Sequence, residues 1–444
     1  MINYPKPQWK TEKNKGISSS DNSRVVTINK KTKKMNTLRF ITAGNVDDGK
    51  STLIGRLLYD SDSIHTDQLG VLKKQTKQEG VDIDLSLITD GLRAEREQGI
   101  TIDVAYKYFS TKKRKFIIAD APGHEQYTRN MITGASNSDL IIILVDARKG
   151  ITEQTKRHAS IGSLMGIKKA IIAINKIDLL NYSETVFNQI QSDFETIKSE
   201  LNFNEIHYIP VSALVGDNIV TKSENTLWYQ GKALLETLET IEVETTENLA
   251  SRFQVQWVIR PKDEANHDYR GYAGLVLSGS YKVGDTVIIL PANIATKIVK
   301  IEKNLESIQV AKAGDNVVLH FENNIDISRG DAVVLYHQLP TESTQINSWI
   351  SWLDNTPLQV GKTYLLQHRF KNVRVKIQEV NQKWNINNWE FTNETEIKLN
   401  DIAQISLRTN QPLFYDAFSE NPKSGNAILI DETSNNTVGA LLFL

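Results

Sequence analysis

The chain has 444 residues, of which 40% are hydrophobic and 24% charged, and its formal net charge is −1. This balance predicts a soluble globular protein of about three domains, and it excludes a whole-chain attraction to nucleic acid or to an anionic membrane. There is no cysteine, which excludes disulfides, thiolate metal sites and cysteine nucleophiles and is typical of a reducing compartment. We predict a cytoplasmic protein without membrane spans, because the strongest apolar run, "DLIIILVDA", is far too short to cross a bilayer.

The N-terminal stretch differs in composition from the rest of the chain. Up to Lys34 there are nine lysines and arginines, opposed only by Glu12 and Asp21. It lacks the apolar core of a secretory signal, and one arginine with two acids does not fit a transit peptide. We interpret residues 1–36 as a basic, disordered extension, with Met35 as an alternative start.

Short apolar runs and longer amphipathic stretches alternate over residues 37–247. Five β-rich runs have the length of strands: "LRFITAG", "KFIIADAPG", "LIIILVDA", "KAIIAINKID" and "IHYIPVSAL". Such runs, separated by helical stretches, predict βαβ units with a mainly parallel, buried sheet. We expect residues 224–243, "ENTLWYQGKALLETLETIEV", to form the closing helix of this domain.

After Glu247 the helical periodicity ends and short strands follow one another. A Gly-Asp pair precedes a β-branched run at Gly284, Gly314 and Gly330. Turns of this kind that recurrently feed strands predict a small β-barrel. The segment 336–344 reads as a linker, and the remainder again reads as short strands. The predicted architecture is therefore an α/β P-loop domain with a mainly parallel sheet (37–247) and two all-β barrel domains (248–340 and 341–444).

A phosphate-binding loop is predicted directly after the first strand. "GNVDDGKS" matches the pattern G-x-x-x-x-G-K-[ST]. Gly44 and Gly49 let the backbone bend so that N–H groups point at phosphate oxygens, Lys50 adds charge, and the Ser51 hydroxyl is a ligand for Mg²⁺. The following helix presents its positive end to the same anion. The residues predicted to contact the nucleotide here are Gly44, Asn45, Val46, Asp47, Asp48, Gly49, Lys50, Ser51 and Thr52.

Two further segments complete the predicted metal site. In "DAPGH", Asp120 ends a predicted strand, where it can reach Mg²⁺ through water, and Gly123 can offer its N–H to the γ-phosphate. In isolation, Asp-Ala-Pro-Gly would read as a turn. Thr101, in "EREQGITID", is the natural second hydroxyl ligand of the metal. The predicted metal ligands are Ser51, Thr101 and Asp120, and the predicted nucleotide contacts include Asp120, Ala121, Pro122, Gly123 and His124.

The segment "NKID", which ends another predicted strand, predicts specificity for guanine. The carboxylate of Asp178 can accept two hydrogen bonds from the N1–H and 2-amino group of guanine, whereas adenine would leave it unpaired. Asn175 would brace the loop and the stem of Lys176 can lie across the base. A backbone N–H of "SAL" can reach guanine O6. The predicted contacts from these two segments are Asn175, Lys176, Ile177, Asp178, Ser212, Ala213 and Leu214.

The set GxxxxGKS, RExGIT, DxPGH and NKxD resembles the translation-factor class of GTPases, in which Val46-Asp47 within the P-loop is typical. The resemblance implies GTP and Mg²⁺ as cofactors. It also implies that His124 orients the attacking water, where other GTPases use glutamine. The catalytic residues it implies are His124, Lys50 and Thr101.

Longer stretches resemble a particular branch of that class. "GNVDDGKSTLIGRLLYDSDSI", "FIIADAPGHEQYTRNMITGAS" and "DARKGITEQTKRHASI" are similar to the large, GTP-hydrolysing subunit of bacterial ATP sulfurylase (sulfate adenylyltransferase subunit 1). The resemblance covers essentially everything after Met35. It implies a small partner subunit that binds ATP and sulfate and forms adenosine 5′-phosphosulfate and pyrophosphate, an uphill reaction that GTP hydrolysis on the large subunit pulls forward. No second GxxxxGK[ST] follows, so adenylylsulfate kinase activity is not expected. We assign no arginine finger.

Two other functions fit the sequence less well. A translation elongation GTPase that delivers aminoacyl-tRNA would need barrels with a basic face, but residues 345–444 supply many acids and no basic cluster of that density. A nucleotide-binding scaffold without activity would need a damaged site, and every motif position is intact. We therefore expect neither nucleic acid nor a membrane as a partner.

Overall fold

The computed structural model describes residues 37–61, 85, 104–123, 128–243, 246–261, 269–385 and 389–444. The predicted N-terminal extension lies outside these ranges. None of the helices described within them is long and apolar enough to cross a membrane.

The first domain is built on a six-stranded sheet. Its strands are β1 (Thr37–Ala43), β2 (Ala105–Ser110), β3 (Lys115–Asp120), β4 (Leu140–Asp146), β5 (Lys169–Asn175) and β6 (Glu205–Pro210). They lie in the order β2-β3-β1-β4-β5-β6. Only β2 runs antiparallel to its neighbour, so the prediction of a mainly parallel sheet is confirmed.

Helices cover both faces of this sheet. Those described are α1 (Lys50–Asp60), α2 (Thr128–Ala135), α3 (Glu153–Leu164), α4 (Glu184–Lys198) and α5 (Leu234–Thr240). Every residue of β4 is buried. Alternate side chains of β4 enter two different cores: Ile141 and Ile143 pack with α2, α3 and α4, whereas Ile142 and Leu144 pack with α1 and α5. A strand buried on both faces explains why its sequence is continuously apolar.

The predicted closing helix is shorter than expected. The structure has a 3₁₀ turn at Glu224–Thr226, and α5 begins only at Leu234. Trp228 and Tyr229 instead pack their rings against Phe187 of α4. The prediction of one helix over residues 224–243 was therefore wrong in extent, because ring packing onto the neighbouring helix overrides local helical preference.

A closed, six-stranded, antiparallel barrel follows, here called barrel 1. Its strands, with short additional ones, are β7 (Arg252–Ile259), β8 (Gly271–Ser278), β9 (Ser280–Lys282), β10 (Thr286–Leu290), β11 (Ile294–Lys303), β12 (Glu306–Ile308), β13 (Val310–Lys312), β14 (Asn316–Phe321) and β15 (Ala332–Leu335). The order β10-β15-β7-β8-β14-β11 closes through a β10–β11 pairing. The predicted Gly-Asp turns have glycine φ values of 95°, 85° and 95° at Gly284, Gly314 and Gly330, a conformation that favours glycine.

The second barrel, barrel 2, has the same closure. Its strands are β16 (Thr341–Trp352), β17 (Thr363–His368), β18 (Lys371–Asn385), β19 (Glu390–Thr392), β20 (Ile402–Tyr415), β21 (Asn426–Ile430) and β22 (Thr437–Phe443). The order β17-β21-β22-β16-β20-β18 closes through β17–β18. Since β16 begins at Thr341, the linker is shorter than the predicted 336–344.

Buried polar contacts join the two barrels. Arg252 of β7 forms a two-pronged ion pair with Asp416, at 2.6 and 2.9 Å. Asn421 donates to the hydroxyl of Ser278 at 2.9 Å. Bidentate geometry of this kind fixes relative orientation as well as distance, so the barrels are held in register by side chains that are shielded from solvent.

Candidate nucleotide site

The predicted nucleotide segments meet at one edge of the parallel sheet. The loop 44–49 follows β1, residues 121–123 follow β3, residues 176–178 follow β5, and residues 211–214 follow β6. The carboxyl ends of neighbouring parallel strands form a crevice, which is the common ligand position in open α/β sheets.

The loop between β1 and α1 has the backbone of a phosphate cradle. Asp47 and Gly49 have φ values of 69° and 94°, and α1 starts at Lys50 without a side-chain cap. A Cβ at Gly49 would lie 2.4 Å from Asn175 Nδ2, so glycine is required there by space as well as by φ. By contrast, the side chain of Thr152 caps α3. The uncapped amides at the start of α1 suit an anion.

Asp48 acts inside this loop. Its side chain is buried, and Oδ2 accepts from the backbone N–H of Asn45 at 2.8 Å. Burial raises the pKa of Asp48, and the hydrogen bond from Asn45 and the charge of Lys149, 3.9 Å away, oppose that shift. The N–H of Val46 donates to Asn45 Oδ1 at 2.8 Å. No physical role for the second aspartate of the loop was predictable from the sequence. In the structure, Asp48 braces the loop from within.

The segment after β3 lies directly against the phosphate loop. A Cβ at Gly123 would come within 2.5 Å of the Gly44 carbonyl oxygen and 3.3 Å of the Val46 nitrogen. Only glycine permits so close an approach of two backbones. Asp120 is buried, and its Oδ1 lies 3.4 Å from the Thr42 hydroxyl. Ala121 and Pro122 are also buried.

Asn175 connects three of the predicted segments. Its Nδ2 donates to the carbonyl of Asp48 at 2.7 Å, and its Oδ1 accepts from the N–H of Ala213 at 2.9 Å. The residue is almost fully buried. Arg56 of α1 also holds this region, because its guanidinium donates to the carbonyls of Ala213 and Leu214. Ser212 and Ile177 are buried, whereas the Leu214 side chain is exposed.

A buried carboxylate organises the loop after β5. Asp146, at the end of β4, accepts from Arg148 at 2.6 Å and pairs with Lys176 at 3.1 Å. Burial acts to raise the pKa of Asp146, but the bonds from Arg148 and Lys176 prevail and hold that pKa well below its usual range. Lys176 Nζ also donates to the carbonyl of Asp47. Asp178 is half-buried, and within the described ranges no hydrogen bond to its carboxylate is found.

A second network reaches the site from α3. Gln154 Nε2 donates to the Gly123 carbonyl at 3.1 Å and lies 2.9 Å from His158 Nε2. Because an amide nitrogen only donates, His158 Nε2 accepts and Nδ1 carries the proton. His158 is buried, and burial, followed by the charge of Lys50, lowers its pKa to about 3. The neutral ring therefore orients Gln154 towards Gly123.

Two of the predicted site residues, Thr101 and His124, lie outside the described residues. Among the residues that are described, no group of three or more histidines and acids forms a metal centre. A hydroxyl at Ser51 and a carboxylate at Asp120 nevertheless fit Mg²⁺, which takes oxygen ligands and usually few from protein, with phosphates and waters filling the rest.

The sequence predictions missed several residues of this region. Asp146 could have been found, since it ends the continuous apolar run of β4 at the same edge of the sheet. Arg56, Gln154 and His158 gave no such signal, because they lie on helices whose approach to the loops depends on tertiary packing.

The comparisons with known proteins assign the chain to a family. The model "Elongation factor Tu GTP binding domain" matches residues 35–245, and the model "GTP-eEF1A C-terminal domain-like" matches residues 345–441. Sulfate adenylyltransferase subunit 1 of Alteromonas mediterranea is 48% identical over 414 residues, covering 92% of this chain and 86% of that protein. The chain belongs to the sulfate adenylyltransferase subunit 1 family.

The comparisons also include a bifunctional relative and a more distant solved structure. A Mycobacterium tuberculosis protein named bifunctional enzyme CysN/CysC is 46% identical over 411 residues, covering 92% of this chain and 67% of that protein. A solved Saccharomyces cerevisiae Ski7 GTPase-like domain bound to GTP covers 92% of this chain and 97% of that one at 19% identity and a TM-score of 0.49, too distant to carry an argument. Membership in the sulfate adenylyltransferase subunit 1 family confirms the expected fold class and a GTP-binding domain, and it leaves the translation-elongation alternative less supported.

Proposed function

We propose that this chain is the GTP-hydrolysing subunit of a sulfate adenylyltransferase. GTP hydrolysis on this chain drives a partner subunit to form adenosine 5′-phosphosulfate and pyrophosphate from ATP and sulfate. The close relationship to proteins named sulfate adenylyltransferase subunit 1 supports the reaction. The observation that supports the nucleotide part is the position of Asn175, whose side chain joins the loop 44–49 to residue 213 at the same edge of the sheet.

The phosphates would lie over the loop 44–52. Its curled backbone and the uncapped start of α1 supply N–H donors, and Lys50 supplies a positive charge. The guanine would lie at the other end of the crevice, with its N1–H and 2-amino group donating to the Asp178 carboxylate. The stem of Lys176 would flank the base while its ammonium group stays paired with Asp146.

Mg²⁺ would be held by Ser51, Thr101 and Asp120 together with phosphate oxygens. When bound, it offsets the negative charge that develops on the transferring phosphoryl group. The neighbouring Thr42 hydroxyl, 3.4 Å from Asp120 Oδ1, restrains the orientation of that carboxylate.

Hydrolysis would proceed by in-line attack of water on the γ-phosphorus, giving GDP and phosphate. His124 would orient the water, the Gly123 N–H would donate to a γ-phosphate oxygen, and Lys50 would stabilise charge on the β- and γ-phosphates. Because Gln154 of α3 donates to the Gly123 carbonyl, α3 would help to position Gly123 beside the γ-phosphate.

The partner would be a small subunit that binds ATP and sulfate, in a heterodimer or a larger assembly in the cytoplasm. The test is reconstitution of the two purified subunits. We expect adenylyl sulfate formation to depend on GTP, and GTP turnover to rise when the small subunit, ATP and sulfate are all present. GTP turnover that ignores the small subunit and rises instead with ribosomes and aminoacyl-tRNA would refute the proposal.

A pair of histidine variants separates chemistry from folding. His124→Ala should slow GTP hydrolysis and leave GDP affinity nearly intact. His207→Ala is the matched control, because His207 lies partly exposed on β6, where it pairs with Glu205. A large loss of GDP affinity in His124→Ala would mean that His124 is structural.

A further inference from the structure

A small cavity with charged walls lies between the two barrels. Its volume is about 50 Å³, which is room for a few water-sized groups, since one water needs roughly 10–15 Å³. Barrel 1 contributes Arg252 and Gln254 to its lining, and barrel 2 contributes Arg369, Lys371 and Asp416.

Arg369 is the anomalous member of this lining. It occupies the tight turn between β17 and β18 with a φ of 59°. Its Nε and one terminal nitrogen are buried and have no hydrogen-bond partner among the residues that the structure describes. Burial lowers the pKa of Arg369 to about 10. Buried charged donors without acceptors are strongly destabilising. The unpaired nitrogens of Arg369 therefore indicate that an acceptor from outside the described residues binds here.

The neighbouring acid cannot serve as that acceptor. Asp416 accepts two bonds from Arg252, at 2.6 and 2.9 Å, and another from the hydroxyl of Ser424. His368 is also engaged: it is neutral, since burial lowers its pKa to about 4, and its Nε2 donates to the Ser424 carbonyl at 2.8 Å. The lining thus carries three cations (Arg252, Arg369 and Lys371) and one carboxylate that is already paired.

The barrel 1 side of the lining carries an unpaired acceptor, the side-chain oxygen of Gln254. Gln254 Nε2 donates to the Gly330 carbonyl at 3.1 Å, which fixes the orientation of the amide. Its Oε1 is buried, and the described part of the chain supplies no donor to it. A ligand of this cavity therefore has to accept hydrogen bonds from a guanidinium and donate one to an amide oxygen.

We propose that the cavity between the barrels binds a monoprotonated tetrahedral oxyanion of the hydrogen phosphate class. Two of its unprotonated oxygens accept from Arg369 Nε and its terminal nitrogen, and its hydroxyl donates to Gln254 Oε1. Sulfate has the same shape but carries no proton at neutral pH, so it would leave Gln254 unpaired and bind more weakly. The proposal does not rest on the proposed GTPase function, although hydrolysis of GTP would release the same ion.

Melting of the full chain tests the proposal. A saturating non-hydrolysable GTP analogue with Mg²⁺ occupies the phosphate loop, and sodium chloride keeps the ionic strength constant. We expect the melting temperature to rise with the logarithm of phosphate concentration, and to rise less with sulfate. Arg369→Gln should weaken phosphate binding by about tenfold or more. Arg374→Gln is the matched control, since Arg374 lies exposed on the same barrel, and it should respond as the unmodified chain does.

A substitution of Gln254 tests the contribution of barrel 1 to the cavity. Gln254→Met removes the unpaired acceptor, so phosphate and sulfate should then stabilise the chain equally. An undiminished preference for phosphate would contradict the assigned role of Gln254.

Crystals grown with arsenate give a direct answer even if Arg369→Gln fails to fold. Arsenate has the shape and protonation of phosphate and scatters anomalously. An anomalous peak beside Arg369 is the expected result. Ordered water alone in the cavity, or a phosphate response in Arg369→Gln equal to that of the unmodified chain, would overturn the proposal.

Discussion

Asn175 and Asp48 are joined by a 2.7 Å hydrogen bond from the asparagine side chain to the aspartate carbonyl. The same side chain accepts from the Ala213 N–H at 2.9 Å, and its Nδ2 lies where a Cβ at Gly49 would collide with it. One buried amide therefore sets the spacing between the phosphate loop and the loop after β6. The loop predicted to bind phosphates and the loop predicted to lie beside the base therefore share this support.

Replacing Asn175 with Ala should weaken GDP binding without altering the barrels. The change leaves a buried carbonyl and a buried N–H unpaired, each at a cost of about 1–3 kcal/mol, and we expect GDP affinity to fall by about tenfold to a hundredfold. Fluorescent GDP titration measures this. Asn188→Ala, on the exposed face of α4, is the control, and an Asn175→Ala protein with full affinity would contradict the bracing role.

Asp178→Asn should exchange guanine preference for xanthine preference. An amide can no longer accept two bonds from guanine, but its NH₂ can donate to the 2-oxo group of xanthine. We expect the ratio of GDP to XDP affinity to fall by about a hundredfold or more, which corresponds to roughly 3 kcal/mol. Competition between the two nucleotides measures the ratio, and Asp193→Asn on α4 should leave it unchanged. An unaltered ratio would refute the assignment of Asp178 as the base reader.

Gln154→Ala should slow GTP hydrolysis more than it weakens nucleotide binding. Without the amide, the Gly123 carbonyl loses its 3.1 Å donor, so the peptide next to the γ-phosphate position is less well oriented. Loss of one hydrogen bond of about 1 kcal/mol predicts a roughly fivefold lower turnover. Single-turnover hydrolysis and GDP affinity are to be measured together. Gln189→Ala, on the exposed face of α4, is the control, and an equal loss in both quantities would indicate a merely structural role.

Acid should destabilise barrel 2 through His368. Its pKa in the folded chain is about 4, against about 6.5 unfolded. The unfolded state therefore binds more protons between these values, and the stability gained by keeping the ring neutral is complete above pH 6.5 and is lost as pH falls towards 4. From pH 7 to pH 5 this amounts to about 2 kcal/mol.

Urea unfolding followed by barrel 2 tryptophan fluorescence can isolate that contribution. The difference in unfolding free energy between pH 7 and pH 5 should be smaller in His368→Gln than in the unmodified chain. His207→Gln serves as the control. The same pH dependence in all three proteins would rule out the histidine as its source.

The fold was predictable where one local signal decided the outcome. The five apolar runs became β1, β3, β4, β5 and β6 because a buried parallel strand must be apolar on both faces. The three Gly-Asp turns could also be predicted from the sequence alone. In each, the aspartate accepts a backbone N–H three residues earlier, as Asp285 does from Lys282 at 2.7 Å, while the preceding glycine supplies the positive φ.

The site was predictable only in part, because some of its contacts are set by tertiary packing. The spacing of Gly44, Gly49 and Lys50 is sufficient to predict a phosphate-binding loop. The brace role of Asp48, the reach of Arg56 to residue 214 and the pairing of Lys176 with Asp146 depend on which elements are neighbours in space. The same holds for residues 224–243, where the rings of Trp228 and Tyr229 pack on α4 instead of extending a helix.

The salt bridge between Arg252 and Asp416 has a mechanical consequence. Bending at the seam between the barrels would break a two-pronged ion pair that is shielded from solvent, and loss of one partner from such a buried pair costs about 3–5 kcal/mol. Thermal energy seldom supplies that much. We therefore expect the two barrels to move as a single unit whenever the first domain changes conformation, because their shared ion pair resists any change in their relative orientation.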